Sequence, residues 1–250
     1  MGLIESSLFG IRLCAGTPLQ AAQAVYSHAR QSPGMVCVAN VDMVTRAVSD
    51  RKLAGVMARA YTVVTDGMPL VWVLRSRGLN ACRRVYGPQL TRDLCALAAQ
   101  TGMPVFFFGG AQVELDRMQH QLLVDNPALR IVGAISPPML PAEPHLDDAI
   151  ADIINASGAR LVFVSLGCPK QEYWMAAHAS RVNATMVGVG LAFAQIAGLK
   201  RQAPSWMQAT GLEWLYRLFQ EPGRLWRRYL VGNSRFVWYL AIELINGRAR

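Results

Sequence analysis

An α/β unit with a parallel sheet covered by helices, followed by a helical appendage, is the fold this 250-residue sequence predicts. Three observations lead there. Short β-branched or aromatic runs alternate with amphipathic segments over most of the chain. Those runs are apolar throughout, as strands buried on both faces are, rather than alternating. Near residue 200 the rhythm stops and a Trp- and Arg-rich helical segment begins.

In chain order, Pro18–Arg30 reads as the first helix, because Thr17 is an N-cap residue and proline stands at the first helical position. Strands are expected at Met35–Ala39, Val63–Thr65, Val105–Phe108, Arg130–Ile135, Leu161–Ser165 and Met186–Val189. Helices are expected at Gln89–Gln100, Gln112–Val124, Pro144–Ala156 and Gln171–Ser180. No internal repeat or low-complexity linker interrupts the order. The division is therefore an α/β domain over residues 1–200 and an appendage over residues 201–250.

Composition narrows the class. With 52% hydrophobic and 16% charged residues the chain is not disordered. Cys14, Cys37, Cys82, Cys95 and Cys168 are odd in number and lack CxxC spacing, which fits free thiols in a reducing compartment. The first ten residues have no apolar core of a secretory signal. No run approaches the ~20 apolar residues of a membrane span. The net charge of +9 is uneven: from Lys200 onward nine basic residues face three acids, and four of the six tryptophans lie there.

In open parallel sheets ligands bind beyond the carboxyl ends of the strands, which selects the polar residues just after each predicted strand. Asn40 and Asp42 follow the first of these, and Asp66-Gly67 the second. Asp66 could serve as a general base on a hydroxyl; an Asp-Gly turn is the plainer reading. Gly109-Gly110 could offer backbone N–H groups to a diphosphate at a helix start, or form a tight turn. Lys170 and Gln171, in Gly167-Cys168-Pro169-Lys170-Gln171-Glu172, could hold a phosphate and a polar partner; the alternative is a capped helix with exposed charge. Arg84, ahead of Gly87, is a similar anion contact. Gly188-Val189-Gly190 begins like a dinucleotide fingerprint but has Phe193 at the third glycine, and no Walker pattern occurs. Without a DxD sequence there is no paired-aspartate metal site, and His28, His120, His145 and His178 show no ligand spacing.

In the appendage, helical spacing over Arg224–Leu240 brings Arg224, Arg228 and Arg235 within about 40° of one another. Leu225, Trp226, Tyr229, Phe236, Val237 and Leu240 fall opposite. This describes an interfacial helix drawn to anionic lipid, or a helix whose apolar side packs on the domain. The sequence carries no RNA-binding signature, so nucleic acid is not an expected partner.

Taken in order, Asn40-Val41-Asp42-Met43-Val44, Thr65-Asp66-Gly67, Arg84-Val85-Tyr86-Gly87, Gly167 through Glu172, and Gly211-Leu212-Glu213-Trp214-Leu215-Tyr216-Arg217-Leu218 with Glu221-Pro222 resemble the WecG/TagA/CpsF family of bacterial glycosyltransferases. The resemblance runs from about Phe9 to the C-terminal helix. It implies a Rossmann-like fold of GT-E type. It implies transfer, with inversion, of a hexose-type sugar from a UDP-sugar to a polyprenyl-diphosphate-linked saccharide, for surface polysaccharide synthesis. The sugars of such enzymes are glucose, N-acetylmannosamine or its uronic acid. The resemblance also implies a peripheral location on the inner face of the cytoplasmic membrane, self-association before docking, and no cofactor. It maps the catalytic base onto Asp66 and substrate contacts onto Asn40, Arg84 and Gln171. Arg217, Arg224, Arg227 and Arg228 become diphosphate contacts from the membrane-docking appendage, with Lys170, Gly109 and Gly110 as further donors to the leaving group. Two departures bear on the sugar pocket: Val38 where relatives often have threonine, and Phe193-Ala194 where many have an aromatic residue and aspartate. A non-catalytic nucleotide-sugar-binding or scaffold protein is the alternative.

Overall fold

The computed structural model describes residues 3–248, apart from the side chains of residues 224, 228 and 246–248. Strands β1 (Glu5–Leu8) and β2 (Ile11–Cys14) form a hairpin, and α1 (Pro18–Gln31) leads into β3 (Gly34–Ala39). Helices α2 (Val41–Ser49) and α3 (Arg51–Arg59) precede β4 (Thr62–Thr65); α4 (Met68–Ser76) and α5 (Gly87–Thr101) precede β5 (Val105–Gly109). Then come α6 (Gln112–Asp125), β6 (Ile131–Ile135), α7 (Asp148–Ala156), β7 (Leu161–Ser165), α8 (Lys170–His178), β8 (Thr185–Gly188) and α9 (Ala192–Ile196). The tail is α10 (Ser205–Ala209), α11 (Glu213–Gln220) and α12 (Pro222–Arg248).

The strands form one sheet in the order β1-β2-β4-β3-β8-β7-β5-β6. Seven run parallel, and β1 is an antiparallel edge paired to β2. Neighbouring side chains on one strand enter opposite cores. Phe106, Phe108, Val162 and Val164 pack with Trp174 on one face, while Phe107 and Phe163 pack with Phe193 on the other. Burial of both faces is why the strand runs lack polar alternation. Chain order changes direction across the centre: from β3 the chain steps outward to β4, then crosses to β5 and β6 on the far side and returns inward through β7 and β8. The crevice above β4, β3, β8 and β7 is therefore where such a sheet opens to a ligand.

All six expected strands and five expected helices are present in order. Helix α7 starts at Asp148 rather than Pro144, because Asp147 caps it by accepting from the Ile150 N–H. The β1–β2 hairpin was not expected. Its first strand is polar and edge-exposed, and its two-residue turn places Phe9 (φ 54) and Gly10 (φ 78) in the left-handed region that hairpin turns require. The Phe9 ring packs edge-on against Phe236 and Tyr239 of α12, at 5.7 and 5.8 Å between centroids.

The reading of α12 as arginine on one face and apolar residues on the other needs correction, because its apolar half splits in two. Leu225, Gly232 and Phe236 are buried, with Tyr229 and Leu240 partly so, forming a seam at three- and four-residue spacing against the body of the protein. Trp226, Leu230, Val237 and Leu244 lie within about 40° of one another on a different side and are exposed. Membrane contact and packing on the domain were alternatives at the sequence level; the fold gives the helix one face for packing and leaves another apolar face uncovered. Among the described residues no helix is long and apolar enough to cross a membrane.

Candidate active site

A cavity of about 670 Å³ lies over the carboxyl ends of the four central strands, within the ~300–1,000 Å³ typical of small-molecule sites. The segments after β3, β4, β7 and β8 deliver Asn40, Asp66, Lys170 with Gln171, and Gly190 to its wall. The tail supplies the opposite wall, with Gly211, Glu213, Trp214 and Arg217 around α11 and Tyr229 and Asn233 on α12. The cavity is thus an interface between sheet and tail.

Asp66 ends β4, where its N–H donates to Ala39 O at 2.8 Å and ties β4 to β3. Gly67 has φ −104, so the pair is no tight turn; the chain runs extended from strand to helix cap. Arg84 Nε donates to Asp66 Oδ1 at 2.8 Å and to Asp66 O at 2.9 Å. Nη2 of the same guanidinium pairs with Glu213 Oε2 at 2.6 Å. Arg84 also stacks over the Tyr86 ring, 4.4 Å from its centroid, and Tyr86 and Gln195 both line the cavity. Burial is the largest influence on Asp66 and pushes its carboxyl up to about 6; Arg84 opposes this, Glu213 adds to it, and Arg217 opposes it more weakly. A carboxylate so poised is a stronger base at neutral pH than a solvated one.

Asn40 caps α2, its Oδ1 accepting from Met43 N–H at 3.0 Å, which leaves its amide nitrogen as the group available to a ligand. Gln171 is almost fully buried at the cavity floor. Its Oε1 accepts from Gly190 N–H at 3.0 Å and its Nε2 donates to Glu172 Oε1 at 2.8 Å. A side chain at Gly188 would strike that amide at 2.9 Å, so the glycine makes room for it. Lys170 lines the cavity, but its Nζ donates to Leu140 O at 2.7 Å and tethers the loop between β6 and α7.

Not every expected residue comes to this place. Gly109 and Gly110 end β5, one strand beyond the crevice, and do not line the cavity. The Gly110 N–H is spent on Ser165 O at 3.0 Å, and a Cβ at Gly109 would lie 2.4 Å from the same carbonyl. Their φ values of 111 and 71 serve close strand packing, and the reading of them as diphosphate donors finds no support in their position outside the cavity lining. Arg227 is exposed on α12 with its guanidinium over Trp226, outside the cavity. The side chains of Arg224 and Arg228 lie outside the described residues. Of the two departures, Val38 lines the cavity and Ala194 is buried away from it.

Residues 6–250 match the model of the glycosyl transferase WecG/TagA/CpsF family. The chain belongs to that family. Its members are glycosyltransferases of cell-surface polysaccharide synthesis, an activity that in general takes a nucleotide-sugar donor and an acceptor. Within this family member, Tyr86, Gln195 and Glu213 line the cavity and were not singled out by sequence reasoning. Tyr86 and Glu213 stood inside quoted motifs, and that position was the available signal.

Proposed function

We propose that this chain is an inverting hexosyltransferase that moves glucose, N-acetylmannosamine or its uronic acid from a UDP-sugar to a polyprenyl-diphosphate-linked saccharide at the inner face of the cytoplasmic membrane. The observation that carries this reading is Asp66, a raised carboxyl held by Arg84 at the bottom of a cavity whose far wall is the tail. In the reaction Asp66 takes the proton of the acceptor hydroxyl as that oxygen attacks the anomeric carbon. The bond from that carbon to the diphosphate breaks, and its electron pair leaves with UDP. Arg217, the tail cation within reach of the Asp66 field, is placed to stabilise that charge.

The outward face of α12 supports a peripheral membrane position. Trp226 and Val237 are 48% and 64% exposed on one side, Trp238 is 65% exposed about a third of a turn round, and Arg227 and Arg235 are exposed on that second side. Exposed apolar side chains interspersed with arginine suit the headgroup boundary of an anionic leaflet.

The test is a panel of UDP-sugars offered with a polyprenyl-diphosphate monosaccharide. One donor should yield a lipid-linked disaccharide, and Asp66→Asn should reduce that yield by on the order of 10²–10⁴ with the fold intact. Near-normal transfer by the variant removes Asp66 from the role of base. Donor binding without transfer by the native chain would instead favour a non-catalytic nucleotide-sugar-binding protein.

A further inference from the structure

The tail carries three acids, and each pairs back to a basic residue outside its own helix. Glu221 pairs with Lys200, and Glu243 with Arg77 at 3.2 Å. Both pairs lie at the margins, a third or so exposed, where an ion pair contributes little beyond fixing geometry. Glu213 differs. It enters the cavity and closes on Arg84 with both side chains at 14% exposure, on the guanidinium that already holds Asp66. A tail that needed only an anchor has two others. What distinguishes this contact is that one buried cation is shared between a tail carboxylate and the residue assigned as base.

We propose that Glu213 is a positioning residue of the active centre: by holding the outer edge of Arg84 it governs how much of that cation's charge reaches Asp66, so that proton acceptance is coupled to seating of the tail. The inference rests on the reading of Asp66 as base. The charged groups facing the Asp66 carboxyl are Arg84 from the loop before α5, and Glu213 and Arg217 from α11. With the tail seated, Arg84 is divided between two carboxylates, and the second one adds its own negative field. Both effects strengthen Asp66 as a base. With Glu213 withdrawn, Arg84 belongs to Asp66 alone and the carboxylate becomes a weaker proton acceptor. An acceptor hydroxyl is then activated only where the tail closes the cavity, which limits transfer to the assembled site.

The experiment uses the full chain labelled with ¹³C-aspartate, in which Asp66 is the carboxyl resonance that disappears in Asp66→Asn. The titration midpoint of that resonance is read in the native chain, Glu213→Gln and Glu213→Asp. Near 6 in the native chain, it should fall by about one pH unit in Glu213→Gln. Glu213→Asp keeps the charge and should stay close to native. An unmoved midpoint in Glu213→Gln, or an equal fall in Glu213→Asp, overturns the proposal. Should Glu213→Gln fail to fold, the Glu213→Asp arm alone still decides, since a native-like chain with a fallen midpoint refutes a charge-based role. The titration needs no substrate, so its failure is distinct from that of the base assignment, which shows instead as an active Asp66→Asn enzyme.

Discussion

Gln171 donates from Nε2 to Glu172 Oε1 at 2.8 Å, at a depth where Glu172 is fully buried. That single contact decides which way the Gln171 amide faces. With Nε2 committed to the carboxylate, Oε1 is the atom left to receive the Gly190 N–H and hold the loop after β8. Among the described residues the other oxygen of Glu172 has no hydrogen-bond partner, and burial pushes the carboxyl up to about 7, with Gln171 opposing.

This arrangement predicts a stability that falls as pH rises. A glutamate titrating near 4.3 when unfolded and near 7 when folded keeps its proton longer in the native state. Stability from this group is complete below about pH 4.3 and is lost as pH climbs through about 7. Glu172→Gln removes the ionisation while keeping an amide oxygen to accept from Gln171. At pH 8 it should be more stable than the native chain by roughly 3–4 kcal/mol, and near pH 4 about equal. Urea unfolding at the two pH values checks this; an identical pH dependence in both proteins defeats it.

For Asp66 the kinetic counterpart is an acid limb. Transfer should drop as pH falls through about 6, since the protonated carboxyl cannot accept the acceptor's proton. A pH–rate profile of kcat/KM would read it. A limb near 4, the range of a solvated carboxyl, would mean that burial does not control this group.

The exposed apolar side of α12 predicts how the chain meets lipid. Replacing Trp226 and Trp238 together by alanine should weaken binding to vesicles rich in anionic phospholipid by tenfold or more, taking about 1.5–3 kcal/mol for each large side chain withdrawn. Buried Phe236 and Leu225 face the body, so the fold should be untouched. Vesicle sedimentation at low and high salt separates the apolar and ionic contributions; unchanged binding would point to another surface.

Gly211 seats the start of the tail. Its φ is 72, and a Cβ there would come within 2.7 Å of the Trp72 ring and 3.1 Å of Met68. Gly211→Ala should therefore cost about 1–2 kcal/mol in backbone strain before any clash, and that cost falls on tail seating. Sugar transfer should fall at least tenfold while the melting of the sheet core stays near native. Circular dichroism with an activity assay distinguishes this from general unfolding.

Much of the framework could be read from the residues because both faces of the sheet are buried. Val105–Gly109 and Leu161–Ser165 are apolar runs that only a central strand accommodates. The β1–β2 hairpin escaped because Glu5, Ser6 and Ser7 form an exposed edge, with pairing on one side and little hydrophobic signal. Asn40, Asp66 and Gln171 line the cavity because they follow strands whose carboxyl ends open into it. Gly109-Gly110 follow a strand in the same way but lie outside the cavity lining, since strand order cannot be read from strand identity. Glu213 was hidden for a different reason. Its partner Arg84 is 129 positions earlier, and no local pattern encodes so distant a pairing.

The contact of Phe9 with Phe236 joins the beginning of the chain to its end. During synthesis the hairpin turn and the central strands leave the ribosome long before the helix that covers them. A left-handed phenylalanine at the turn gains its aromatic neighbours only when the last segment arrives. The wall that carries Glu213 and Arg217 is likewise late. The cavity wall formed by the tail is therefore encoded after every strand of the sheet it covers.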